Sequence, residues 1–120
     1  MIDELTRQRA LDAMNILDTP RDERVDRVAR LAKEMFGVPM VSVSLLDHDR
    51  QWRKSEIGLG GSEAPRQDSF CDYTVSQDRT VIVEDASATD GFADNPFVVG
   101  DPHLRFYAGH PLHAPGGEPV

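Results

Sequence analysis

The segment Arg105 to Leu112, followed at once by the turn Ala114-Pro115-Gly116-Gly117, constrains this chain more than any other. An apolar, aromatic run that meets a cluster of turn formers predicts a buried strand over 104–112 entering a hairpin. Val120 stands where the return strand would begin. A strand at the sheet centre with a lost partner is therefore expected, in a single domain spanning 1–120 that is C-terminally incomplete.

The rest of the chain tells what that strand packs with. Residues 3–17 are expected to be helical, with Ala10, Ala13, Met14 and Leu17 on one face. Thr19 is expected to cap a second helix running from about Pro20 to Phe36, with Asp22 and Glu23 at the positive end of its dipole. Its expected buried stripe is Val25, Val28, Ala29, Ala32, Met35 and Phe36. Leu31 lies beside that stripe, so the helix is apolar beyond what one sheet face covers. Gly37 and Pro39 stop it.

From Met40 to Asp47 the period changes to two, which predicts a strand, and Arg50 to Ile57 is the second arm of a hairpin turning at Asp47-His48-Asp49. A short helix over 68–77, capped by Asp68 or Ser69, and a strand over 80–84 follow. Residues 85–103 are polar and rich in turn formers, the mark of a functional loop or of short helical turns. This order predicts an α+β fold: an antiparallel sheet with the N-terminal helices on one face and segment 58–103 over the other.

The charge excludes some partners. Of a net −8, nearly all sits in residues 61–120, which hold 3 basic and 10 acidic side chains against 10 and 11 in residues 1–60. Such a field repels phosphate backbones and anionic lipids, so no nucleic acid and no membrane partner is expected. No apolar run approaches the ~20 residues of a membrane span. The acidic start lacks the pattern of an export signal, and a lone Cys demands no oxidising compartment, so the expected location is the cytoplasm.

Several motifs, taken in order, resemble a known family. Leu17-Asp18-Thr19-Pro20-Arg21-Asp22-Glu23-Arg24, Phe36-Gly37-Val38-Pro39, Asp47-His48-Asp49-Arg50-Gln51-Trp52, Ser69-Phe70-Cys71, Phe92-Ala93-Asp94-Asn95-Pro96 and Arg105-Phe106-Tyr107-Ala108-Gly109 together resemble a GAF domain of the bacterial signalling type. The resemblance implies an antiparallel sheet of about six strands with a small-molecule pocket on one face. It also implies a position before a diguanylate cyclase, histidine kinase or phosphatase output domain in a longer chain, and an apolar strand and closing helix beyond Val120. The chain departs from the family where many relatives have Ala-His after the Cys, since Asp72-Tyr73 stands here, and where they have a small apolar residue in place of His110.

The expected pocket lies under a lid formed by Ser69-Phe70-Cys71 and the loop Phe92 to Pro96. Phe70, Phe92 and Tyr107 are its candidate walls, and Ser69, Cys71, Asp94 and Asn95 sit where a ligand is oriented, with Ser42 and Ser44 leaving room on the floor. The competing reading is that Phe70 and Phe92 plug the core while Asp94 and Asn95 shape a turn. Cys71 is either a small buried hydrophobe or a reactive thiol, the latter disfavoured by Asp68 and Asp72. His103, His110 and His113 lack the ligand spacing of a zinc site, and no catalytic set is visible. The functions expected are a sensory ligand-binding module, a non-binding module that dimerises through its N-terminal helices, and, last, a Cys71 redox enzyme. No cofactor is assigned.

Overall fold

The computed structural model describes residues 3–120. Helix α1 spans Glu4–Ala13 and α2 spans Glu23–Phe36. The cap of α2 is Asp22 and not Thr19: its carboxylate accepts the Arg24 N–H at 2.8 Å. Thr19 instead donates to the Ile16 carbonyl and accepts from the Lys54 ammonium, joining the helix entry to the sheet. Gly37 ends α2 in the left-handed region at φ +61, where its N–H closes on the Lys33 carbonyl.

The buried face of α1 also differs from the expected one. Arg7, Gln8 and Leu11 are buried, Ala13 is exposed, and Ala10, Met14 and Leu17 are only half-buried. Two polar residues go inside because they find partners at the end of the first strand. Arg7 donates to the Leu46 carbonyl, and the Gln8 carboxamide donates to the Asp47 carboxylate at 2.8 Å. On α2 the expected stripe is only partly covered. Ala29 is buried, whereas Val28, Leu31, Met35 and Phe36 are 58%, 54%, 69% and 74% exposed.

Strands β1 (Val41–Leu46), β2 (Arg50–Ile57) and β3 (Glu63–Pro65) form an antiparallel sheet in that order. The β1–β2 register slips between Val43 and Ser44, which pair with Ser55 and Arg53, so Lys54 is the extra residue of a bulge. A second antiparallel pair joins β4 (Val81–Val83) to β5 (Tyr107–Gly109). Helix α3 (Phe70–Gln77) precedes β4, and a 3-10 turn at Ala86–Ala88 and α4 (Pro96–Val99) lie between β4 and β5. The long polar segment thus folds into short helical turns.

Alternation along β1 and β2 sorts two cores onto opposite faces. Leu45 and Trp52, directly paired, face the N-terminal helices and pack with Leu11, Ala114 and Val120. On the lid side, Phe70, Val81, Val83, Ala86 and Val98 cluster, with Phe92, Leu104 and Tyr107 against them. The α+β arrangement with helices on one face and a lid on the other is as the sequence predicts.

The expected strand over 104–112 is shorter than predicted and does not sit at a sheet centre, since β5 pairs only with β4 in the two-stranded sheet. Only residues 107–109 join a ladder, because the backbone before them serves the lid: Leu104 N–H bonds the Phe97 carbonyl, and Arg105 C=O accepts from Ala86. Beyond the ladder the hairpin turn forms, with Gly117 N–H on the Ala114 carbonyl. Val120 then ties the segment after β5 to the end of β1, its N–H on Leu112 and its carbonyl accepting from Leu46, both at 2.9 Å. Among the described residues no helix is long and apolar enough to cross a membrane.

Candidate functional site

Helix α3 is held over the sheet by its first residues. Ser69 is its N-cap, with its hydroxyl accepting the Asp72 N–H at 3.2 Å. Phe70, the next residue, turns inward. Its ring centroid lies 4.8 Å from that of Phe92 and 5.1 Å from that of Tyr107, and Tyr73 meets Phe92 edge-on at 5.5 Å. These aromatic contacts close the lid-side core. Phe70 and Phe92 therefore fill space between lid and sheet in this state.

Asn95 acts as a latch. Its side-chain oxygen accepts the Phe97 N–H at 2.8 Å, capping α4, while its amide donates to the Asp68 carbonyl at 3.0 Å ahead of α3. Asp94 beside it is exposed, and its carboxylate has no hydrogen-bond partner among the described residues. The structure brings Ser69, Phe70, Cys71, Phe92 and Tyr107 together and leaves Asp94 outside.

Behind the rings lies a polar patch that links the sheet floor to α3. The Gln51 amide donates to Ser44 Oγ at 2.8 Å and lies 3.5 Å from Cys71 Sγ. The Ser44 and Ser42 hydroxyls are hydrogen-bonded to each other. Tyr107 Oη shares a hydrogen bond with Thr74 Oγ1 at 2.7 Å and sits 3.9 Å from Cys71 Sγ. Gln51 and Thr74 are buried, at 6% and 3% exposure. Sequence reasoning missed both. The signal for Gln51 was strand alternation: position 51 faces away from Trp52 and pairs with Leu46 on the lid side.

The patch is electrically neutral near pH 7. Burial pushes the Cys71 thiol above its ordinary value, against smaller opposing effects from hydrogen bonds with Tyr107, Ser69 and Ser44 and from the Arg53 charge. Cys71 keeps some exposed surface, while its sulfur lies against the Gln51 amide and the Tyr107 hydroxyl. Burial likewise raises the Tyr107 phenol, with the neighbouring thiol adding to the effect. A raised thiol works against the thiolate that a nucleophilic or redox cysteine needs. The histidines go separate ways, His110 to Thr80 at 2.8 Å and His113 to Asp78 at 2.6 Å.

Two open clefts lie outside this patch, the first of them against the start of α3. One, of about 650 Å³, is lined by Glu4, His48, Asp49, Arg66 and Asp72 among others. The other, of about 490 Å³, is lined by Thr19, Trp52, Arg53, Lys54 and Ser62 among others. Neither touches the Gln51–Cys71–Tyr107 patch. We place the candidate site at the patch because it holds buried polar groups between the sheet and α3, whereas Glu4, Arg66 and Asp72 of the first cleft are already paired to each other.

The sequence profile of the GAF domain family matches residues 20–120. The chain belongs to the GAF domain family, of the bacterial signalling type. This GAF domain is 41% identical over 110 residues to a cyclic di-GMP phosphodiesterase of Pseudomonas aeruginosa, a match covering 92% of the chain and 19% of that relative. The chain thus spans about a fifth of the length of the curated relative it matches. Its fold is similar to that of a type II free methionine-R-sulfoxide reductase from Thermoplasma acidophilum, with a TM-score of 0.64 at 17% identity over 82% of this chain and 67% of the other. At that identity the likeness shows the fold alone.

Proposed function

We propose that this GAF domain is a sensory module of a signal-transduction protein, binding a small molecule between the sheet and α3. One observation carries the reading: Gln51, Ser44, Thr74 and Tyr107 spend hydrogen bonds on one another in a place where apolar side chains would pack without them. Each is a donor or acceptor that a ligand's polar groups can take over. The aromatic plug Phe70–Phe92 and the Asn95 latch are the contacts that hold the lid closed over the patch. A ligand that binds the open lid better shifts the population toward it. The change reaches an output domain in a longer cytoplasmic protein, and the phosphodiesterase relative supplies one such setting.

Thermal melts against a metabolite library test this. A ligand raises the melting temperature by mass action, and Gln51→Leu removes that shift while the protein still folds. A flat response across the library for the full-length protein overturns the reading. The alternative, an interaction module with no ligand, is favoured by the uncovered apolar face of α2. A Cys71-dependent enzyme is not proposed, because the enclosed thiol stays protonated.

A further inference from the structure

We infer that the cleft lined by Arg53 and Lys54 binds a small, doubly charged oxyanion, at a place separate from the patch beneath α3. The cleft holds about 490 Å³ and includes both side chains in its wall. In an unbroken strand, consecutive side chains point to opposite faces. The bulge at Lys54 breaks that alternation, and the two neighbours share one cleft.

Other arginines of the chain show what Arg53 lacks. Arg7, Arg21 and Arg24 each present the Nε–Nη2 edge of the guanidinium to a carboxylate, that of Glu4, Asp26 and Asp22 respectively. This edge fits two oxygens of a carboxylate or phosphate at once. Arg53 uses only Nη1, which donates to the Gly60 carbonyl at 2.9 Å and to the Gly61 carbonyl at 3.4 Å. Its Nε is enclosed without an acceptor, and its Nη2 has none among the described residues. An enclosed donor without a partner carries a desolvation cost that a seated oxyanion removes. The turn that holds Nη1 leaves room beside it, since a Cβ at Gly60 or Gly61 would meet nothing within 4 Å.

Lys54 supplies the second charge. It is 9% exposed, and its ammonium donates to the Thr19 hydroxyl at 2.8 Å and to the Pro20 carbonyl. Both acceptors are neutral, and the third N–H is unclaimed among the described residues. The carboxylates in and around the cleft are engaged elsewhere: Asp18 by Arg50, Asp22 by Arg24, and Glu56 by the Leu59 and Gly60 N–H groups. Arg21, also in the wall, is spent on Asp26. Two positive charges therefore line one cleft with no carboxylate paired to either among the described residues. All the charged residues of the wall lie in 1–60, where basic and acidic side chains nearly balance, so the acidic surplus of the second half is not built into it.

The inference does not rest on the ligand reading of the patch, which the cleft does not touch. The test titrates the protein with inorganic phosphate and with succinate, at ionic strength held constant with chloride, and follows the arginine Nε–H signals by NMR. A saturable shift of the Arg53 Nε–H with a dissociation constant below about 10 mM is expected for at least one of the two. The tighter of them tells whether the natural ligand is a phosphate or a carboxylate. Arg53→Gln and Lys54→Met should each weaken binding at least about tenfold. Arg53→Lys, which keeps the charge and the bulk but loses the two-pronged edge, should weaken it several-fold and decides the matter if Arg53→Gln does not fold. Gln51→Leu should leave the affinity unchanged. No saturation by either anion below that concentration overturns the proposal, as does wild-type affinity in the Arg53 variants. Loss of binding in Gln51→Leu also overturns it, by merging the cleft with the patch.

Discussion

Arg66 reaches across 62 residues of sequence to hold Glu4, with Nη1 2.6 Å from Oε1. The same guanidinium donates to Asp72 at 2.8 Å and to the Asp47 carbonyl at 3.0 Å. One side chain thereby ties α1, the β1–β2 turn and the first turn of α3. Arg7 holds the Glu4 carboxylate from the other side at 2.9 Å.

These partners lower the Glu4 pKa from 4.5 to about 2, Arg7 contributing first and Arg66 second. A carboxyl depressed on folding stabilises the native state above its unfolded pKa, and that stability is lost as pH falls through the folded value. The loss should therefore fall between pH 4.5 and 2. Because the Glu4 side chain is 53% exposed, solvent screening limits it to about 1 kcal/mol. Urea melts of wild type and Glu4→Gln across that window check this: the variant should be weaker at pH 7 and flatter in acid.

Asn95→Ala should cost about 1–2 kcal/mol, since it removes the α4 cap and the tie to Asp68 together. Asn95→Asp keeps the capping oxygen but has no amide donor, so it should fall between. Hydrogen exchange should show the first turn of α3 opening faster in both, and more in the alanine variant.

Gly58 and Gly60 have nearly the same backbone angle, φ +78 and +77, but different surroundings. A Cβ at Gly58 would collide with the Pro39 carbonyl oxygen, whereas nothing lies within 4 Å at Gly60. Gly60→Ala carries only the left-handed backbone cost of roughly 1 kcal/mol. Gly58→Ala must also displace backbone, for a total of about 2–4 kcal/mol. Paired thermal melts separate the two effects.

Cys71 should react with a thiol reagent at least about a hundredfold more slowly in the native protein than in urea, because access requires local opening. Burial of the neutral thiol also implies that stability falls once pH rises above the unfolded thiol's pKa. Fast labelling of native protein at pH 7 would show an open sulfur and revive the reactive reading.

Much of the fold is legible in local chemistry. The change from helical spacing to alternation at Met40 places β1, and Gly37 ends α2 where predicted, because backbone stereochemistry at such points leaves few choices. The α3 cap was narrowed to Asp68 or Ser69, and the fold uses Ser69. The candidate site was half visible. Phe70, Cys71 and Tyr107 were found as one group, while Gln51 and Thr74 were missed because each reads locally as an ordinary polar residue of a strand or helix.

What the amino-acid order determined by itself was the kind and succession of elements, the side of the sheet each alternating residue takes, and membership in the GAF family. The tertiary structure alone decided who meets whom. It buried Arg7 and Gln8 because the end of β1 offered them acceptors, it shortened the last strand because its backbone was claimed by the lid, and it left half of the α2 stripe bare. Each of these depends on groups dozens of residues apart competing for the same partner, and that competition exists only once the chain has closed on itself.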